Sequence, residues 1–103
     1  MIGRDALAAL DRFALAPSAL PQERQAALRK IHAGMSTNGD RLEFRKGGRI
    51  GPNALALPAG IIIVTDELVA LSKDDREIEA VLAHETGHLR QRHILRHVLQ
   101  DSA

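Results

Sequence analysis

Apolar residues change their rhythm twice along this chain. From Met1 to Leu15, Leu7, Leu10 and Phe13 recur at helical spacing, in a weakly helical lead-in that extends to about residue 20. Pro17, Ser18 and Pro21 break that pattern, and Pro21 suits the first turn of a helix over about Gln22 to Ala33. Ala26, Ala27, Leu28 and Ile31 are its expected buried stripe, Gly34 its end, and Ser36-Thr37-Asn38-Gly39-Asp40 a loop. Between residues 41 and 64 the period drops to two. Arg41-Leu42-Glu43-Phe44-Arg45 alternates as a half-buried strand does, and Lys46-Gly47-Gly48 turns the chain before Arg49-Ile50 resumes it extended. Asn53 to Leu57 and Ile61 to Val64 are two further short strands, separated by Pro58-Ala59-Gly60. Tight turns between three or four short strands predict a small, mostly antiparallel meander.

The remainder is helical. Thr65 and Asp66 can cap a short helix through about Leu71, and Asp74 with Glu77 resembles a capping box. The helix it opens runs from about Asp75 to Gln100 with no Pro. Acidic residues crowd its start (Asp74, Asp75, Glu77, Glu79) and basic ones its end (Arg90, Arg92, Arg96), as the helix dipole favours. The expected fold is α+β, in one domain spanning residues 1–103.

Composition narrows the chemistry. Two Phe and no Trp or Tyr leave an aliphatic core and no aromatic platforms for stacking bases or sugars. With no Cys, any metal site must be built from His and carboxylates. A net charge of +1 demands no polyanionic partner, so nucleic acid is not expected. The apolar run Ala54 to Val64, interrupted by Pro58 and Gly60, is shorter than the roughly 18–20 residues of a spanning helix. Arg4, Asp5, Asp11 and Arg12 argue against a secretory signal, so these residues are expected to be soluble.

The long helix carries His84-Glu85-Thr86-Gly87-His88. Residues four apart on a helix differ by about 40° around the axis, so His84 and His88 share one face, one turn apart. Two imidazoles so held can bind one zinc ion at about 2.0–2.1 Å each. Glu85 sits about 100° round, beside the metal, where a carboxylate can take the proton of a zinc-bound water and pass it to a leaving amine.

A third ligand is harder to find. A His ten residues after His84 is replaced by Ile94, and no Gly stands at position 91. His93 and His97 fall about 180° and 220° round the helix, and read as solvated residues near its basic end. Glu77 and Glu79 lie upstream with nothing to favour either, and Asp101 would need a sharp reversal of the chain.

The stretch from Gly51-Pro-Asn-Ala-Leu-Ala-Leu-Pro-Ala-Gly-Ile-Ile-Ile-Val-Thr-Asp-Glu-Leu, then Glu77 through His88 to Arg92-His93, resembles the HtpX/CAAX-prenyl-protease-type zinc metallopeptidases. The resemblance covers about half the chain, Arg49 to Gln100, although the family usually has Gly-Gly where this chain has Ala59-Gly60. It implies a gluzincin of zincin-like fold, with His84 and His88 as ligands, Glu85 as general base, and a Glu from a later helix beyond Ala103 as third ligand. It also implies that Asn53-Ala54-Leu55-Ala56 is an edge strand pairing with an extended polypeptide substrate, through main-chain hydrogen bonds indifferent to its sequence. Relatives of this kind commonly carry membrane segments after the motif helix. The resemblance thus implies membrane association, with Arg90, Arg92 and Arg96 as cations on the cytoplasmic side.

The leading expectation is the N-terminal portion of a zinc metalloendopeptidase, inactive by itself because two imidazoles leave the ion undercoordinated. A second reading is a non-catalytic peptide-binding module, or pseudo-protease, using its exposed strand. Nucleic-acid binding through Arg90, Arg92, Arg96, His93 and His97 is a distant third, since those cations are more simply a solvated face.

Overall fold

Five consecutive residues, Ile61 to Thr65, organise this molecule. A strand of Ile-Ile-Ile-Val-Thr has no polar side to turn to water, so both of its faces must be covered. In the computed structural model, which describes residues 2–36 and 39–101, and side chains over 5–36 and 39–92, all five are buried. The elements in chain order are α1 (Ile2–Phe13), β1 (Ala16–Pro17), α2 (Gln22–Met35), β2 (Arg41–Lys46), a 3₁₀ turn (Gly48–Ile50), β3 (Ala54–Leu57), β4 (Ile61–Thr65), α3 (Asp66–Leu71) and α4 (Asp75–Asp101). The α+β class read from the sequence is what forms.

The four strands lie in the order β1-β2-β4-β3. Two of the three pairings, β1 with β2 and β3 with β4, are antiparallel. The central one, β2 with β4, is parallel, with Leu42 opposite Ile62 and Phe44 opposite Val64. The sheet is therefore mostly antiparallel but not a meander. The chain leaves β2, forms β3 on the far side, and returns through β4 between them. That order puts the strand with two apolar faces in the middle, where burial is most complete.

Arg49-Ile50 is not extended. Ile50 N–H donates to Gly47 O (3.0 Å) and Gly51 N–H to Gly48 O (3.1 Å), curling the segment into the 3₁₀ turn. Gly47 has no room for a side chain, since a Cβ there would stand 2.6 Å from Gly51 O, and its N–H donates to Glu67 Oε1 at 2.7 Å. Between β3 and β4 the chain reverses through Pro58-Ala59-Gly60, with Ala59 at φ 68° and Gly60 at φ 72°. Ala59 is in the left-handed region that glycine tolerates, a conformation that costs a non-glycine residue about 1 kcal/mol or more.

Each face of the sheet is covered by helices. Ile62 and Val64 join Leu42, Phe44, Ala54 and Ala56 against Leu28 of α2, Val69 of α3, and Ile78, Leu82 and Leu89 of α4. Ile61 and Ile63 face the other way, onto Leu15, Leu7, Leu10, Ile50, Leu55 and Leu57. Each large aliphatic side chain so buried contributes about 1.5–3 kcal/mol of transfer free energy.

Three details of the helical reading change. Phe13 is 80% exposed, because α1 stops there and Leu15 turns in to fill the apolar place instead. In α2 the inward stripe is Leu28, Ile31, His32 and Met35, while Ala26 and Ala27 are exposed: the helix is turned so that its larger side chains face the core. The same helix runs past Gly34 to Met35, and Ser36 N–H closes it by donating to His32 O at 2.9 Å. Thr37 and Asn38 of the expected loop lie outside the described residues.

The caps behave as read. Thr65 Oγ1 accepts from Leu68 N–H at 3.3 Å and starts α3. Asp74 Oδ1 accepts from Arg76 N–H at 2.9 Å, and Glu77 Oε2 from Lys73 N–H at 3.3 Å, at the start of α4.

Candidate metal centre

What α4 buries decides what it can present. Ile78, Leu82 and Leu89 form its inward stripe, spread over only about 40° of its circumference. His84 lies about 120–160° from those three and His88 about 80–120°, so both are exposed, while Glu85 falls near the stripe's margin and is half-buried. Thr86 is a polar exception on the inner side, 4% exposed, with a buried hydroxyl that has no hydrogen-bond partner among the described residues.

The two imidazoles meet edge to face, with ring centres 4.5 Å apart and planes at 86°. Nε2 of His88 stands 3.0 Å from Nε2 of His84, close enough for a hydrogen bond when one ring carries the proton there. Two nitrogens bound to one tetrahedral zinc would be about 3.3 Å apart, so a small opening of the pair fits the ion in place of the shared proton. The donor set is also right: two imidazole Nε2 atoms are brought together at the surface. Glu85 is the carboxylate beside that pair, with no hydrogen-bond or ion-pair partner among the described residues.

Among the described residues no third His, Cys, Asp or Glu joins this pair. Glu77 is engaged in the cap of α4, and Glu79 is exposed. The side chains of His93, Arg96, His97 and Asp101 lie outside the described residues. At its beginning, α4 is tied to α2 by Arg24, whose Nη2 is 2.6 Å from Asp75 Oδ1. That hydrogen bond holds the Asp75 carboxyl below the usual carboxylate range.

β3 is the outer strand of the sheet on the side where α4 packs. The register settles which main-chain groups face out. Asn53 is opposite Thr65, donating its N–H to Thr65 Oγ1 (2.9 Å) and accepting Thr65 N–H on its carbonyl (3.0 Å). Antiparallel pairs alternate, so Leu55 and Leu57 also turn their main-chain groups toward β4, and Ala54 and Ala56 turn theirs to the open edge. Of the four residues read as an edge, two are thus outward-facing, and Asn53 acts on one of them: its Oδ1 accepts the Ala54 N–H at 2.8 Å.

One residue at the basic end of the helix does more than balance its dipole. Arg92 Nη1 donates to Ala56 O at 3.2 Å, joining the motif helix to the strand edge. Its spacing carried the signal. Seven residues after Glu85, it returns to within about 20° of the same direction.

Two hollows lie elsewhere. One of about 530 Å³ runs between Asp11, Arg29 and Arg45, and one of about 470 Å³ between Arg29, His32, Asp40 and Arg41. Neither takes in the motif residues. His32 is 4% exposed and its Nε2 has no hydrogen-bond partner among the described residues. Burial pushes its pKa down, with nearby Asp40 pulling the other way.

The family model for Peptidase family M48 matches residues 19–103, from just before α2 through the whole of α4. No curated protein matches the chain.

Proposed function

The chain belongs to peptidase family M48, and on that premise we propose that it is part of a zinc metalloendopeptidase of the HtpX/CAAX-prenyl-protease type. Membership implies metalloprotease activity, and peptidases of this family are generally zinc-dependent. The observation that carries the finer reading is the close approach of the His84 and His88 Nε2 atoms, with Glu85 beside them. His84 and His88 would hold zinc through Nε2, and a Glu from outside the described residues would be the third ligand.

Bound there, zinc would supply Lewis acidity, lowering the pKa of water and polarising a scissile carbonyl. The remaining work falls to the chain. Glu85 takes the proton of the attacking water and delivers it to the departing amine nitrogen. The Ala54 and Ala56 edge of β3 receives the extended substrate by main-chain pairing, and its place beside α4 brings the peptide to the motif. Membrane association through segments outside this chain, with the site on the cytoplasmic side, belongs to the same proposal; no described helix is long and apolar enough to cross a membrane.

Glu85→Gln is the decisive variant. In the full-length protein it should lower cleavage of an unfolded protein substrate by about 10²–10⁴-fold, the usual worth of a general base, with zinc content by atomic absorption unchanged. Full turnover in that variant would sink the mechanism. A full-length protein that binds extended peptides with zinc removed and never cleaves them would instead support a non-catalytic binding module.

A further inference from the structure

The outward edge of β3 presents four main-chain groups, the N–H and C=O of Ala54 and of Ala56. Two of them are already taken by side chains of this chain. Asn53 Oδ1 holds the Ala54 N–H at 2.8 Å, and Arg92 Nη1 holds the Ala56 C=O at 3.2 Å. The next residue in that alternation is Pro58, which has no N–H to offer, so the Ala56 N–H is the last donor along this edge.

An antiparallel partner exchanges two hydrogen bonds with a single residue, using both its N–H and its C=O. At Ala56 that pairing competes with the guanidinium for the carbonyl. At Ala54 it cannot form while Asn53 occupies the N–H. The groups left open, Ala54 C=O and Ala56 N–H, flank Leu55 and match only one residue of a parallel strand.

We propose that Arg92 is a gate on this edge, its guanidinium holding the Ala56 carbonyl until the N–H of an extended, antiparallel peptide replaces it. The inference rests on the reading that β3 receives peptide. Arg92 is well placed for the role. It is exposed, it comes from the motif helix, and a flexible side chain can leave the carbonyl without any change in the sheet. The tip of Asn53 plays the same part at the other end, one residue from the group it covers. Such caps also protect an open edge from pairing with a second copy of the chain, which is the hazard of any unpaired strand.

The test is binding of an uncharged, fluorescein-labelled ten-residue peptide of alternating threonine and glutamine to metal-free protein, followed by fluorescence anisotropy. Arg92→Met, at an exposed position, should tighten binding roughly three- to tenfold, the worth of one hydrogen bond no longer displaced. A version of the peptide with ester oxygens in place of its main-chain N–H groups should bind neither protein. Equal affinity for both proteins, with the ester version still excluded, overturns the gate and leaves the edge reading standing. An ester version that binds as well as the amide overturns the edge reading itself. Absence of binding to either protein overturns both.

Discussion

β4 and α4 contribute to the same core and are built on opposite principles. Every residue of β4 is buried, so its sequence has one possible place, between two apolar layers. α4 buries Ile78, Leu82, Thr86 and Leu89, and leaves His84 and His88 exposed with Glu85 half-buried beside them. The strand spends all its side chains on stability. The helix needs only enough of them to fix its rotation about its own axis, and that rotation aims the imidazoles. A fully buried strand and a half-committed helix separate what folds the chain from what could do chemistry.

This division can be attacked from either side. Ile62→Ala removes a fully buried side chain from the centre of β4 and should cost about 2–5 kcal/mol, measured by urea denaturation. A loss below 1 kcal/mol would mean that β4 is not the keystone the packing makes it.

A smaller effect should come from His32, the buried polar group on α2. Its folded-state pKa lies below the ordinary value of about 6.5, so on acidification the unfolded chain binds the proton first. Stability is therefore full above the ordinary value, and falls as the pH drops from there through the lowered one. His32→Leu should flatten that part of the profile in paired denaturation curves at pH 7.5 and below. An unchanged acid slope would show that His32 is not the group responsible.

Smallest of all should be His84→Ala. An exposed position on the outer face of α4 should shift stability by no more than about 0.5 kcal/mol, while zinc retention measured by equilibrium dialysis is lost. A destabilisation comparable to that of Ile62→Ala would erase the distinction between scaffold and site.

Much of this was readable in the residues. The caps at Thr65 and Asp74, the strands within 41–65, and the long helix all follow from local chemistry, because each depends on neighbours in sequence. The motif geometry was legible for the same reason: four residues along a helix is a local distance. What escaped was non-local. The parallel pairing of β2 with β4 depends on which strand can be covered on both sides, and alternation within one strand cannot report that. Ala26 and Ala27 were read inward by spacing, whereas the sheet rewards the larger Leu28, Ile31 and Met35. Arg92 carried a charge that a helix end explains well enough, so its reach to Ala56 needed the strand in place before it had meaning.

The three-residue reversal at Pro58-Ala59-Gly60 has a consequence of parity. Leu57 is paired with Ile61 across it, and this pairing fixes that the even positions of β3 look outward. A slip of that pairing by one residue would put the main-chain groups of Leu55 and Leu57 on the open edge, and send their side chains into the layer now filled by two alanines. The leucines would collide with Leu82 and Leu89, and Arg92 would find no carbonyl where Ala56 now offers one. The register closed by this turn, with an alanine held at φ 68°, decides which words of the backbone this edge can speak.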